Sequence, residues 1–324
     1  MKRLRVLVCG TNYGRIYLDA LNWKHGRYEL VGILASGSSR SIAVAAQHGV
    51  RLFHTVEELP SDIDIACAAM GTSGSEAVMQ LLDRGIHVLA EHPLRSAYLN
   101  AAFAKAAERN VCFHVNAHLA ALPLSRTFIE ECRSLLRGKP PVFISVMATD
   151  RSLYATIDLL MLLLQDPPDF KLASRNTVPQ FAILNGSFGP IGVSFQIQNS
   201  ILSDGSIRPD GGAGYVVDCR VAVASPKGML TLMSINGPVV WNVNYGGTRS
   251  PSSPSWKIVG SRKPDSGMQL YLHRVQANLD AIDMIARCRK GREALANQTP
   301  NHVLAVSRLW EVLCKKTSSD WLLA

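Results

Sequence analysis

One apolar run ends in groups able to move a proton: Leu89-Ala90-Glu91-His92-Pro93 closes it with a carboxylate, an imidazole and a proline. Histidine titrates near neutrality, so His92 at a strand end is suited to donate a proton as a neighbouring atom receives hydride. A capped strand end with an incidental histidine is the alternative. A second set, Gly10-Thr11-Asn12-Tyr13-Gly14, lies between a short apolar run and a helical pattern. A strand that ends in glycine and feeds a helix presents backbone N–H groups to a pyrophosphate. Gly10 supplies the tight turn, and Gly14 permits an approach that a Cβ would block. The spacing is G-x-N-x-G, because Asn12 and Arg15 occupy the second and third glycine positions of the fuller G-x-G-x-x-G pattern. Alone it also fits an ordinary strand-turn-helix. Further along, Tyr154 and Asp158 lie four apart, on one face of an apolar helical pattern. An acid in that setting must be paired or carry a raised pKa. A buried helix contact is the other reading of Asp158, and a core histidine the other reading of His118. His87 and His114 fall inside strand patterns and read as structural.

The elements that must hold these groups alternate through the first third of the chain. Strands are expected at 4–9, 29–34, 64–69, 86–90 and 111–115, with helices at 15–23, 41–48, 75–84 and from Pro93 to about 110. Five strands in that order describe a doubly wound parallel sheet, the setting that favours dinucleotide binding on the Gly10–Gly14 loop. The end of the second strand chooses between NAD and NADP. Here it reads Ala35-Ser36-Gly37-Ser38-Ser39-Arg40, with hydroxyls and a guanidinium and no acid expected in reach, which favours a 2′-phosphate. A helix cap and a solvated arginine are the plainer reading of Ser38, Ser39 and Arg40.

The pattern changes near residue 119. Helices are expected at 125–136, 154–164, 271–289 and 301–315, and strands at 142–149, 178–184, 193–197, 215–223, 229–235 and 239–245. Turn signals at Asn185-Gly186, Asp204-Gly205, Asp210-Gly211-Gly212, Lys227-Gly228 and Asn236-Gly237 separate the strands. The fold class is therefore α/β: an N-terminal Rossmann domain over 1–118, then an α+β domain over 119–324 with an open, mainly antiparallel sheet. Residues 246–266, rich in Gly, Ser, Pro and basic residues, read as a mobile loop. With Trp256 between Arg249 and Lys257, this loop is expected to fold over a substrate.

Composition narrows the rest. With 47% hydrophobic and 18% charged residues among 324, the balance is globular. No apolar run approaches the roughly 18 residues that span a bilayer, and a cytoplasmic location is expected. The charge of +9 is diffuse, without a basic run or nucleic-acid motif, and suits an acidic partner or a phosphorylated cofactor. Seven scattered cysteines, without a C-x-x-C pair, read as buried reduced thiols, and no metal site is expected.

The layout resembles the oxidoreductases that include glucose-fructose oxidoreductase and inositol dehydrogenase, in which a Glu-Lys-Pro step carries a catalytic lysine. With His92 in the lysine position, R-G-I-H-V-L-A-E-H-P-L (84–94) is similar to the thiazolinyl imine reductases of pyochelin- and yersiniabactin-type siderophore assembly. So are G-T-N-Y-G-R-I-Y (10–17), V-N-A-H-L-A-A-L-P (115–123) and S-L-Y-A-T-I-D-L-L (152–160). The resemblance implies reduction of a thiazoline C=N by NADPH, on an intermediate tethered to a peptidyl carrier domain of a nonribosomal synthetase. It implies that Gly10, Thr11, Tyr13 and Gly14 bind the pyrophosphate and that Ser36, Ser38 and Arg40 meet the adenosine end. Gly71, Thr72 and Ser73 would line the cofactor, and Glu91, His92 and Pro93 would lie beside the nicotinamide. It also implies a homodimer through the antiparallel sheet. The family's suggested acid is a tyrosine where this chain has Leu119, which leaves His92, His118, Tyr154, Asp158 or a held water as the donor. A sugar or polyol dehydrogenase, or a non-catalytic NADP-sensing protein, are the alternatives.

Overall fold

The structure, a computed structural model, describes residues 3–23, 26–165, 167–178, 181–198, 218–243, 254–260, 265–289 and 296–317. Contacts divide the chain into two compact units, Met1–His118 with Tyr271–Ser307, and Leu119–Leu270 with Arg308–Ala324. Among the described residues, no helix is long and apolar enough to cross a membrane.

The first unit runs β1 (Leu4–Cys9), α1 (Arg15–Trp23), β2 (Tyr28–Leu34), α2 (Ser39–Gln47), β3 (Arg51–Phe53), β4 (Ile65–Ala68), α3 (Ser75–Asp83), β5 (His87–Glu91), α4 (Ser96–Glu108) and β6 (Phe113–Asn116). The six strands form a parallel sheet in the order β3-β2-β1-β4-β5-β6. Val6, Leu7, Val8 and Cys9 are all buried, as expected for a strand covered on both faces. The amide of Gln298 takes the place of a missing neighbour at the β6 edge, accepting from the Val115 N–H and donating to its carbonyl, each at 3.0 Å.

The second unit contains α5 (Pro123–Leu136), β7 (Phe143–Thr149), α6 (Asp150–Leu164), β8 (Phe170–Val178), β9 (Phe181–Phe188), β10 (Ile191–Gln198), β11 (Cys219–Ser225), β12 (Gly228–Leu232), β13 (Val239–Val243) and β14 (Trp256–Val259). Its sheet has the order β14-β13-β12-β11-β7-β10-β9-β8 and is antiparallel except where β7 meets β10. A capping box between Thr149 and Ser152 starts α6, whose residues from Ser152 to Met161 are all buried. The last helices are α7 (Gly267–Cys288) and α8 (Pro300–Thr317). From Tyr271 onward α7 belongs to the first unit, where Val275, Leu279, Ile282 and Ile285 join Val6, Val8, Leu18 and Ile33 in one core. At about 1.5–3 kcal/mol for each fully buried aliphatic side chain, that stripe alone is enough to hold the helix there.

Several expectations are corrected. The parallel sheet has a sixth strand, β3, too short for its alternation to register in sequence. Asn185-Gly186 is not a turn but part of β9, because a Cβ at Gly186 would lie 2.2 Å from the Lys171 carbonyl oxygen across the ladder. The expected strand at 178–184 therefore divides between β8 and β9. Within the expected loop at 246–266, residues 256–259 form β14. The rest of that loop through 253, with 261–264, lies outside the described residues, as do the turns Asp204-Gly205 and Asp210-Gly211-Gly212. The cysteines are not all reduced. Cys112 and Cys288 form a disulfide with Cα atoms 6.4 Å apart, while Cys9, Cys67, Cys132, Cys219 and Cys314 are free and buried. The pair is 176 residues apart in sequence and meets only because α7 returns to this sheet.

Candidate active site

The cofactor loop begins where β1 stops. Gly10 has φ +88°, and a Cβ there would come within 2.5 Å of the Ala69 carbonyl oxygen. At Gly14 a Cβ would lie 2.0 Å from the Gly10 carbonyl oxygen. The two glycines thus let the chain turn back on itself and enter α1, with the Tyr17 N–H bonded to the Gly14 carbonyl at 3.1 Å. Gly10, Thr11 and Asn12 line a cavity of about 690 Å³ together with Ser36, Ser38 and Arg40. Ser38 also caps α2, its hydroxyl accepting from the Ser41 N–H at 3.3 Å. Ser39 is the exposed first residue of that helix and does not line the cavity. Gly71 to Gly74 form a 3-10 turn, of which Gly74 reaches the cavity. The side chains of Thr72 and Ser73 lie outside the described residues.

Sequence reading missed His54, Glu57 and Gln80, which also line this cavity. His54 and Glu57 follow β3, the strand that was too short to recognise. Glu57 qualifies the expectation that no acid reaches the adenosine end. Hydrogen bonds from its own backbone and from Thr55 hold its carboxyl below the usual range. The cavity therefore presents the Arg40 guanidinium and two carboxylates, Glu57 and Glu76, on separate elements.

A polar network closes the end of β5. The Glu91 carboxylate accepts from the Tyr17 hydroxyl and from Asn116 Nδ2, the latter at 2.7 Å. Asn116 Nδ2 also lies 2.7 Å from the Tyr17 oxygen and 2.7 Å from Asn278 Oδ1. Asn278 is fully buried on α7 and donates to the Arg274 carbonyl at 2.8 Å. Burial pushes the Glu91 carboxyl up to about 8, although the Tyr17 and Asn116 hydrogen bonds pull the other way. Below the ordinary carboxyl range, folded and unfolded chains both hold this proton. Between about 4.5 and 8 only the folded chain holds it, so stability falls as pH rises through that window. At about 1.4 kcal/mol for each unit of separation, the loss by pH 8 is on the order of 5 kcal/mol. Glu91→Gln keeps an acceptor without the charge. Its melting temperature is expected to exceed the native one by several degrees near pH 8.5 and to nearly match it at pH 5. Parallel melting curves for the two proteins across pH 5–9 would show that Glu91 is not held protonated.

His92 follows Glu91, and the His92–Pro93 peptide is cis. Burial pushes its imidazole down to about 4, below the near-neutral titration expected from residue type. His118 is held down to about 3 by burial, then by the charges of His92 and Arg274. The Tyr13 hydroxyl lies 3.0 Å from His118 Nδ1. Although 38% of the Tyr13 side chain is exposed, its phenol is raised well above its usual range by burial and by Glu91, against the opposing effects of Asn278 and Arg274. The first unit therefore brings Tyr13, Glu91, His92 and His118 into one neighbourhood.

Tyr154 and Asp158 belong to the second unit, 2% and 4% exposed on successive turns of α6. Burial raises the Tyr154 phenol further than any other cause, followed by the Asp158 and Glu311 carboxylates. Its ring packs edge-on against Trp310, with centroids 6.1 Å apart. Leu119, where the resemblance leads to a tyrosine, is a buried apolar residue.

Fold and site together define a Rossmann-type parallel sheet with a cavity at its first glycine turn. Residues 4–117 match the sequence model of GFO/IDH/MocA, an oxidoreductase family with an NAD-binding Rossmann fold. The likeness is of this part of the chain. No curated protein matches the chain by sequence. Among solved structures it is similar to GenD2 from gentamicin A biosynthesis in complex with NAD, at 16% identity and TM-score 0.73, covering 98% of this chain and 95% of that one. It is similar to UDP-N-acetylglucosamine 3-dehydrogenase GnnA from Acidithiobacillus ferrooxidans, at 17% identity and TM-score 0.68, covering 95% and 96%. Biliverdin reductase from Synechocystis, in complex with biliverdin and NADP+, shares 14% identity at TM-score 0.68, covering 98% and 99%. At these identities the likeness shows the fold alone.

Proposed function

We propose that the protein reduces the C=N bond of a thiazoline ring to a thiazolidine, with NADPH, on a siderophore intermediate carried by a peptidyl carrier domain. The observation that carries this reading is the placement of His92 one residue past the Glu91 network that ends β5, with His118 two residues past Asn116 of the same network. Oxidation of an alcohol needs a base that takes the hydroxyl proton near pH 7, and rings held down to about 4 and 3 are poor bases. Reduction of an imine needs the opposite, an N–H group that gives a proton. When bound, NADPH supplies the hydride. The Gly10–Gly14 loop is the cradle for its pyrophosphate, and its turn needs both glycines because a Cβ at either would collide with backbone. Ser36, Ser38 and Arg40 receive the 2′-phosphate at the far end of the same cavity. Gly71, Thr72 and Ser73 border the cofactor, and His92 and Pro93 lie at the nicotinamide end. His92, His118, Tyr154 and Asp158 are the candidate proton-handling groups. The diffuse charge of +9 suits an acidic carrier partner, and the second sheet is the face proposed for a cytoplasmic homodimer.

The test follows NADPH absorbance with a synthetic 2-hydroxyphenyl-thiazoline, with NADH in parallel and with a polyol panel run in the oxidative direction. Thiazoline-dependent oxidation is expected. A charge-assisted hydrogen bond of about 1.5–3 kcal/mol sets the preference for NADPH over NADH at about 10- to 100-fold, and Arg40→Ala is expected to erode it. Preference for NADH would assign the adenosine end to Glu57 instead. Polyol oxidation without thiazoline turnover would overturn the imine reductase reading.

A further inference from the structure

We propose that His118 is the proton donor to the substrate nitrogen and that Tyr13, behind it, resupplies the proton through His118 Nδ1. This rests on the imine reductase reading and names the donor that the reading leaves open. The geometry begins with the 3.0 Å contact between Tyr13 Oη and His118 Nδ1, the rings 6.0 Å apart between centroids and tilted by 33°. A phenol that donates to Nδ1 fixes the ring as the Nε2–H tautomer, with its second nitrogen available to donate. Tyr13 in turn stands edge-on to Tyr17, with centroids 6.4 Å apart, and Tyr17 is bonded to Glu91.

Two elements fix the dyad. Tyr13 is held by the loop that turns at Gly10 and Gly14. His118 opens the short 3-10 turn that follows β6, two residues after the Asn116 amide that binds Glu91, Tyr17 and Asn278. The charged and titratable groups that act on the pair are Arg274 from α7 and His92 and Glu91 from the end of β5, while Tyr13 in turn acts on Tyr17. Asn278 also acts on the Tyr13 hydroxyl. Arg274 and Asn278 both favour a phenolate at Tyr13.

The step balances as follows. The carbon of the C=N bond accepts hydride and its two electrons, and the π pair moves to nitrogen. An N–H bond forms there as the His118 Nε2–H bond breaks. The Tyr13 O–H bond breaks as an Nδ1–H bond forms, so the imidazole ends neutral in its other tautomer. The phenolate left on Tyr13 is stabilised by Arg274 until a water delivers a proton to Nε2; the Nδ1–H bond then breaks, its proton returns to Tyr13, and the hydroxide left passes to solvent. The nitrogen pair formed is a far stronger base than a phenolate, so a neutral donor is sufficient and no imidazolium is needed. Tyr13 thus acts through His118, as a positioning and relay residue, while His118 touches the reacting atom.

Two measurements test the dyad. Nitrogen NMR of the imidazoles, without substrate, is expected to show His118 as the Nε2–H tautomer, with its Nδ1 resonance moving in Tyr13→Phe; the Nδ1–H tautomer would overturn the relay. Steady-state turnover with the thiazoline is expected to fall about 100-fold in kcat for His118→Asn, with NADPH affinity retained, and about 10-fold for Tyr13→Phe. The native solvent deuterium isotope effect is expected to change in both variants, which simple structural damage does not produce. Native turnover with either variant fully active, or losses with an unchanged isotope effect, would overturn the dyad alone. Absence of thiazoline turnover by the native protein would instead overturn the reading on which it rests.

Discussion

His92→Ala is expected to lower kcat for thiazoline reduction by about 100-fold while leaving NADPH affinity within about two-fold. The side chain lies one residue beyond β5, where the Glu91 network with Tyr17 and Asn116 fixes the strand end independently of the ring. In the proposed reaction its imidazole is the N–H donor that would hold the substrate ring against the hydride, and small misplacements of a reacting centre cost about this much. Removing the ring leaves the Gly10–Gly14 loop and the adenosine end of the cavity untouched. His92→Gln, which retains an N–H donor, is expected to recover about 10-fold of the loss, as one hydrogen bond of about 1–1.5 kcal/mol would. Stopped-flow measurement of hydride transfer, with NADPH affinity from fluorescence titration, separates the two effects. Unchanged hydride transfer in the alanine variant would remove His92 from the chemistry. An equal loss in NADPH affinity would make it a cofactor contact instead.

Gly14→Ala is expected to weaken NADPH binding by about 100-fold. The new Cβ would meet the Gly10 carbonyl oxygen at 2.0 Å, and neither atom can retreat freely. Gly10 is already committed to φ +88° and its N–H to the Leu34 carbonyl at 2.9 Å, while Gly14 supplies the carbonyl that starts α1. The loop must open, carrying its N–H groups away from the pyrophosphate. Overpacking of this kind costs about 1–3 kcal/mol, and the upper part of that range corresponds to the stated loss. Gly267→Ala is the control, because no atom lies within 4 Å of a Cβ there and the backbone is ordinary helix. An alanine at position 14 that leaves NADPH affinity unchanged would show that the pyrophosphate does not use this loop.

The amino-acid sequence alone determined the parallel sheet and the glycine loop, because both rest on local rules. A fully buried strand such as β1 is a continuous apolar run, and a strand-to-helix turn without room for a Cβ must use glycine. The same locality made the second unit's sheet legible as mainly antiparallel, while it concealed β3 and misread Asn185-Gly186 as a turn. Three residues carry no period, and a glycine required by a neighbouring strand looks the same in sequence as one required by a bend. The site divides in the same way. Tyr13, Glu91, His92 and His118 could each be picked out by residue type and position. Their electrostatic character could not, since it depends on burial and on groups as distant in sequence as Arg274 and Asn278. Only tertiary structure returned α7 to the first unit, joined Cys112 to Cys288, brought Glu57 to the adenosine end and paired Tyr13 with His118. A pKa and a hydrogen-bond partner belong to a place in space, and the chain must fold before that place exists.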